Sequence, residues 1–257
     1  MPIDRQRAEA FGDDPARYDR ARPSYPNELI WDLLADDPRT VLDVGCGTGI
    51  ASRLFQAEGR EVLGVEPDSR MAAQARARGL AVEECRFEDW DARGRRFDLL
   101  TSAQAWHWVE PESGAAKGAK VLKPGGRIGV FWNHPVHPQE VMAVFRNAYG
   151  QHAPHLLEGE SVALGTLRFD AAAVDPDADA LRNTGAFSGI ERRFFWWTRT
   201  YSTESWIDEL PTHSDHRFLE AGRRDRLFDD LQRGLGRLGD SFDVEYCTGL
   251  VTAVRNR

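Results

Sequence analysis

Seven consecutive residues, Asp43-Val44-Gly45-Cys46-Gly47-Thr48-Gly49, place a glycine at every second position after an acid. Without a Cβ, such a turn takes positive φ easily and lets a bulky ligand approach the backbone. A helix that starts beyond it aims unpaired N–H groups and the positive end of its dipole at the same spot. Open α/β sheets bind ligands at this kind of place, just past the C-terminal end of a central strand. Glu66 follows about 20 residues later, and an acid at that remove can accept both hydroxyl protons of a ribose. The order Gly45-x-Gly47-x-Gly49 differs from the G-x-G-x-x-G of dinucleotide enzymes, whose third glycine lies three residues beyond the second. A nicotinamide oxidoreductase is therefore disfavoured.

For these groups to meet, the turn must leave a buried strand. Thr40 to Val44 reads as that strand, and Ile50, Leu54, Phe55 and Ala57 then recur at helical spacing, predicting a helix over 50–58. Further strands are predicted over 61–65, 80–84, 97–102 and 127–132. One helix is predicted over 69–78, stopped by Gly79, and another runs from Pro111 to a turn at Lys123-Pro124-Gly125-Gly126. Strands alternating with helices of this length imply right-handed crossovers and a parallel, doubly wound sheet.

Past Asn133 the pattern changes. A helix over 138–149 precedes about forty weakly periodic residues, including the acidic stretch from Asp170 to Asp179. A connection that long is uncommon in a compact domain and often covers a ligand. Arg192 to Tyr201 reads as an aromatic strand, followed by a helix-rich stretch through Leu238. Phe242 to Val254 alternates with period two, as a strand with one face inward does. These two strands are expected to pair at a sheet edge, antiparallel if the second reverses. The expected α/β domain has an N-terminal cap (1–36), a ligand-binding core (37–135), an insertion or lid (136–191) before the last two strands, and C-terminal strands and helices (192–257).

The run from Asp43 to Gly49 resembles the first motif of class I S-adenosylmethionine-dependent methyltransferases. The likeness extends over most of the first 135 residues and is to the small-molecule branch, similar to the trans-aconitate and ubiquinone-pathway types. Val65-Glu66-Pro67-Asp68 matches the segment whose acid holds the adenosine ribose. Arg86-Phe87-Glu88-Asp89-Trp90 matches the adenine contact after strand three. Arg86 stands where many members have Asp, which leaves Glu88 or Asp89 to meet the adenine amino group. Ser102-Ala103-Gln104-Ala105-Trp106-His107-Trp108 resembles the family's fourth-strand segment, and Leu122 to Arg127 its turn before strand five. Tyr18 to Pro26 looks like the flap that closes over the cofactor.

The resemblance implies a Rossmann-like, mostly parallel seven-stranded sheet with helices on both faces, and S-adenosyl-L-methionine as cofactor. It implies cofactor contacts from Tyr18, Arg22, Asp43, Gly45, Cys46, Gly47, Glu66, Pro67, Phe87, Glu88, Ser102, Ala103 and Gln104. Arg22 suits the cofactor's carboxylate by paired hydrogen bonds; a surface arginine in a capping segment is the other reading. Trp106, Trp108, Trp132 and Asn133 are expected on the acceptor side, with core packing open for at least one of the first two. His107 is the one nominee for general base, its ordinary pKa of about 6.5 suiting proton removal near neutrality. A structural histidine bonded to a nearby loop is the alternative. The function implied is methyl transfer to a small-molecule acceptor; a cofactor-binding protein without transfer activity is the second reading.

The 257 residues are 41% hydrophobic and 29% charged, ordinary globular material. Acids outnumber Lys plus Arg by 41 to 33, a net charge of −8 that disfavours nucleic acid as a partner. No apolar run is long enough for a membrane span or a signal peptide, so a cytoplasmic protein is expected. Cys46, Cys85 and Cys247 are far apart and predict neither a disulfide framework nor a thiolate metal cluster. His134, His137, His152 and His155 have no carboxylate at ligand spacing, so no metal is expected. Capping or solvation accounts for His213 and His216. No N-P-P-Y or D-P-P-Y run follows strand four, and no cysteine ends strand four or five, against base methylation. Phe194, Phe195, Trp196, Trp197, Tyr201 and Trp206 would roof an acceptor pocket, pack a core, or face a homodimer partner. A carboxylate acceptor would call for arginines, of which Arg20, Arg146 and Arg192 are available.

Overall fold

The computed structural model describes residues 10–158, 164 and 176–257. Seven strands, β1 (Thr40–Val44), β2 (Glu61–Glu66), β3 (Ala81–Glu84), β4 (Phe97–Ala103), β5 (Leu122–Val136), β6 (Phe187–Ser202) and β7 (Ser241–Arg255), form one sheet in the order β3-β2-β1-β4-β5-β7-β6. The first five are parallel, and β7 runs antiparallel between β5 and β6. β1 is central, with Leu42 beside Leu63 on one flank and Leu100 on the other. The chain order reverses at β1, so the turn after it opens a crevice between β2 and β4.

Alternation along the strands sorts the apolar side chains onto two faces. Val41, Leu99, Phe131 and Leu250 pack under the helices Asn27–Leu33, Ile50–Ala57 and Ser69–Ala77 through Leu29, Leu33, Phe55 and Ala75. Leu42, Leu100, Ile128 and Val251 pack against Ala115 and Ala119 of Pro111–Val121 and Leu181 of Pro176–Asn183. A third core lies against the protruding ends of β6 and β7. There Phe145 and Tyr149 of Gln139–His152, Trp206 of Thr203–Glu209 and Leu231 of Ala221–Gly236 meet Tyr201 and Tyr246.

Two element boundaries differ from the sequence reading. β5 begins at Leu122, before the Lys123-Pro124-Gly125-Gly126 stretch read as a turn. Those residues bulge from a continuing strand, since Phe97 pairs with Leu122 but Leu99 with Arg127, and Gly125 has φ +79°. β6 begins at Phe187 rather than Arg192, because a second irregularity between Ser188 and Glu191, at Gly189 (φ +59°), hides the alternation. β6 and β7 do pair antiparallel, with β6 at the edge. Of the weakly periodic stretch, residues 159–163 and 165–175, including most of the acidic run, lie outside the described residues, as does the N-terminal run 1–9.

The helix Pro15–Ala21 is fixed from two sides. Asp19 pairs with Arg53 and Arg78 beside the glycine turn, while Arg17 and Arg20 both pair with Asp208 of Thr203–Glu209. This segment thus bridges the parallel half of the sheet and the third core. No helix among the described residues is long and apolar enough to cross a membrane.

Candidate functional site

All three glycines of the turn take positive φ, +67° at Gly45, +55° at Gly47 and +85° at Gly49. The turn is clamped to β2, as the N–H groups of Gly45 and Cys46 both donate to the Val65 carbonyl at 2.8 and 3.3 Å. A Cβ on Gly45 would lie 2.5 Å from the Cβ of Ala105, so the segment after β4 needs a glycine there. A Cβ on Gly47 would meet Met71 Cε at 3.5 Å, an ordinary contact.

Glu66 closes the opposite side. Its Oε2 accepts from the Gly47 N–H and its Oε1 from the Asp68 N–H, both at 2.9 Å. Each carboxylate oxygen keeps one lone pair for a further donor. Burial pushes the Glu66 carboxyl up to about 7 despite these two bonds. Beneath the turn, Asp43 accepts from the Ser52 hydroxyl, while its Oδ1 has no hydrogen-bond partner. Its burial, with Glu66 nearby, pushes it to about 7 as well. Cys46 is buried against Gly64.

The other expected contacts divide. Pro67 is exposed beside Glu66. The Phe87 ring is buried between Trp90 and Trp106, so only its backbone can meet a ligand. Glu88 Oε1 accepts from the Glu110 N–H at 3.0 Å, and Asp89 is exposed. The Ser102 hydroxyl donates to the Val44 carbonyl at 2.8 Å, pinning β4 to β1, and half-buried Ala103 packs on the first face. Gln104 takes φ +56° and donates its N–H to the Phe131 carbonyl at 2.9 Å, which aims its side chain out of the sheet.

Two expectations are corrected. Trp106 does not reach the acceptor side: it is 1% exposed and packs with Phe87 in the core. Half-buried Trp108 instead lies against His107, ring centroids 4.7 Å apart. Nδ1 of His107 accepts from the Trp132 indole N–H at 3.2 Å, which puts the proton of the neutral ring on Nε2. In that tautomer the ring's lone pair is the one that accepts from Trp132. Although the residue faces outward in part, desolvation of the ring pushes it down to about 4.

Beyond Gln104 a cleft opens, lined by Arg22, Pro23, Gln104, Asn133, Pro135, Trp206, Glu209, His213 and Tyr246. It lies where the N-terminal segment, the end of β5 and the third core meet. Asn133 is held by the Ser24 carbonyl at 2.9 Å and the Thr248 hydroxyl at 2.6 Å. Arg22 stacks on Tyr18, its guanidinium 5.0 Å from the ring centre, and donates to the Thr212 carbonyl at 3.0 Å; its Nε has no partner. Glu209 is 2% exposed. It accepts from the Tyr201 hydroxyl at 2.8 Å, faces His213 Nε2 at 3.3 Å, and has Arg199 3.7 Å away. Burial would raise the Glu209 carboxyl, but His213, Arg22 and Tyr201 outweigh it and hold the group below its ordinary value. Burial, with Arg22 alongside, pushes His213 down to about 4.

His213 is thus a buried wall of the cleft, and His216 is fully buried against Tyr149, in place of the surface or capping roles expected for them. Of the expected roof, Trp206 reaches the cleft, Trp197 stacks on Tyr246 and Trp196 is exposed. Arg20 pairs with Asp208, Arg146 is exposed, and Arg192 lies over Phe194; Arg22 supplies the cleft's guanidinium. Glu209, Tyr246 and Pro135 were not legible as site residues. No group of three or more His, Cys, Asp or Glu among the described residues is arranged to hold a metal ion.

Residues 41–126, from β1 to the bulge of β5, match the family model for a methyltransferase domain. An uncharacterised methyltransferase of Mycobacterium bovis is 39% identical over 132 residues, 48% of this chain and 52% of that protein. The chain thus spans about half the length of such relatives. A malonyl-[acyl-carrier protein] O-methyltransferase of Enterobacter lignolyticus is 31% identical over 74% of this chain and 80% of its own length. Trans-aconitate 2-methyltransferase of an Enterobacter species is 26% identical over 79% and 81%. In fold, a candidate type II methyltransferase of Anaeromyxobacter dehalogenans superimposes with a TM-score of 0.65 at 23% identity, covering 91% of this chain and 97% of its own. With the positive-φ glycine turn, the buried acid at the end of β2 and this extent of likeness, the chain belongs to the class I S-adenosylmethionine-dependent methyltransferases.

Proposed function

We propose that this protein transfers a methyl group from S-adenosylmethionine to a small-molecule acceptor held in the cleft beside Gln104. The observation that carries the reading is Glu66, a buried carboxylate tied to the Gly47 N–H with a lone pair left on each oxygen. Two adjacent hydroxyls of a ribose are the donors that such a carboxylate fits. The residues suit the cofactor at its other end too, since the unpartnered Nε of Arg22 can take a carboxylate. Bound there, the cofactor supplies an activated methyl group on a sulfonium.

The chain's own work is then mainly positioning. Glu66 and the glycine turn fix the nucleoside, and Arg22 with Tyr18 fixes the amino-acid end. Gln104, Asn133 and Trp206 wall the acceptor side, and such alignment supplies much of the acceleration in a displacement of this kind. Trp206, Pro23 and Pro135 keep water from the reacting atoms. Trp132 and His107 brace the rim through their shared hydrogen bond.

Calorimetric titration with S-adenosylhomocysteine and, separately, NADH tests the reading. Heat with the first and none with the second is expected, and Glu66→Ala should weaken the first at least tenfold. The opposite preference would reject the proposal. Release of label from methyl-labelled cofactor to a metabolite panel separates a transferase from a protein that binds without transfer.

A further inference from the structure

Glu209 anchors a chain of hydroxyls whose direction is set by its charge. An ionised carboxylate only accepts, so the Tyr201 hydroxyl spends its one proton on Glu209 Oε2, at 2.8 Å. The Tyr246 hydroxyl lies 2.7 Å from that of Tyr201 and must be the donor of the pair. Its own proton is thereby committed inward, and toward the cleft it offers lone pairs only. His213 Nε2 faces both Glu209 Oε1 at 3.3 Å and Arg22 Nη1 at 3.5 Å, and its Nδ1 has no partner. Tyr246 is 2% exposed and His213 4%, and both line the cleft. Among the buried side-chain atoms of the wall, the Arg22 Nε–H and the Trp206 indole N–H are donors without a partner.

Resting on the methyltransferase reading, we propose that the methyl acceptor is a proton-bearing nucleophile, a hydroxyl or an amine, whose X–H donates to Tyr246 Oη. At Tyr246 Oη itself a carboxylate would meet lone pairs and no proton. The hydroxyl chain also gives the acceptor's proton a path. As the X–CH3 bond forms and the methyl–sulfur bond breaks with its electron pair left on sulfur, the X–H proton passes to Tyr246 Oη. The Tyr246 proton passes to Tyr201 Oη and the Tyr201 proton to Glu209 Oε2, leaving Glu209 neutral. Each oxygen in the path gives up one proton as it receives one. Tyr246 is thus the catalytic residue, and Tyr201 and Glu209 act through it.

Binding tests this without a known substrate. Phenol, benzylamine, benzoate and anisole, which is phenol with its donor methylated, are titrated into protein saturated with S-adenosylhomocysteine. Phenol or benzylamine should bind at least tenfold tighter than anisole and benzoate, and the stronger of the two identifies the nucleophile. In Tyr246→Phe that preference should vanish. In Tyr201→Phe, Tyr246 regains a proton to donate, so anisole should gain affinity relative to phenol, an effect that mere loosening of the wall would not produce. Tighter binding of benzoate, an unaltered phenol-to-anisole ratio in both variants, or no binding of phenol and benzylamine overturns the proposal. S-Adenosylhomocysteine heat on each preparation keeps a failed cofactor reading distinct from a failed acceptor reading.

Discussion

Glu66 holds a charge state that its ligand must change. Folding raises its carboxyl from an ordinary value near 4.5 to about 7 through burial, so between those values the folded chain binds more protons than the unfolded one. The contribution of this group to stability therefore falls as pH rises through that window. Ribose hydroxyls donate to the ionised form, so binding should pull the proton off. S-Adenosylhomocysteine affinity is expected to rise from pH 6 to pH 8 and to release protons near pH 7. Calorimetry in two buffers of different ionisation enthalpy reads this directly; identical heats at pH 7 would sink the idea. Glu66→Gln should lose the pH dependence and bind about 10- to 100-fold more weakly. A hydrogen bond to a charged group is worth about 1.5–3 kcal/mol, and a carboxamide cannot accept from Gly47, Asp68 and two hydroxyls at once.

The elements that carry Glu66 and the turn were legible because their signals are local. β1 ends where glycines begin, Asp68 caps the helix Ser69–Ala77 through the Arg70 and Met71 N–H groups, and Gly79 follows its end. Each is a matter of a few consecutive residues. The start of β5 was not legible, because a bulge at Lys123–Gly126 carries the same residues as a turn that ends a helix. The demand for glycine at position 45 is tertiary and yields a prediction. Gly45→Ala adds a left-handed alanine, which costs about 1–2 kcal/mol, and sets its Cβ against Ala105, where overpacking adds about 1–3 kcal/mol. Gly59→Ala has a similar φ, +76°, and nothing within 4 Å, so it carries the strain alone. Urea unfolding should find Gly45→Ala the more destabilised of the two; equal midpoints would mean that the segment after β4 yields and that the turn is less tightly enclosed than the geometry states.

At the scale of the molecule, the two halves of the site belong to different cores. The turn and Glu66 rest on the sheet packed under Phe55 and Leu29, whereas Trp206, Tyr246 and Tyr201 belong to the core around Phe145 and Leu231. This is why the cleft was legible in the sequence only in part. Arg22, Gln104, Asn133, Glu209 and Tyr246 are gathered from five stretches of chain, and nothing in the residues around Glu209 marks it as buried rather than as the polar face of a helix. Separate cores should respond separately. Phe145 is fully buried and stacks on Trp206 with ring centroids 5.5 Å apart and planes 14° apart, while its edge meets His137. Phe145→Leu should cost about 1–2 kcal/mol and free Trp206 to tilt, weakening phenol binding several-fold while S-adenosylhomocysteine affinity stays within about twofold. Phe55→Leu, in the helix that follows the glycine turn, should show the reverse, weakened nucleoside and unchanged phenol. The helix Pro15–Ala21 touches both halves, where Asp19 holds Arg53 and Arg78 while Asp208 holds Arg17 and Arg20. Asp208→Asn in the Phe145→Leu background should likewise leave nucleoside affinity within about twofold if the cores are independent. If instead nucleoside affinity falls in every one of these variants, the cleft and the turn are one cooperative unit, and the division of labour between the cores is wrong.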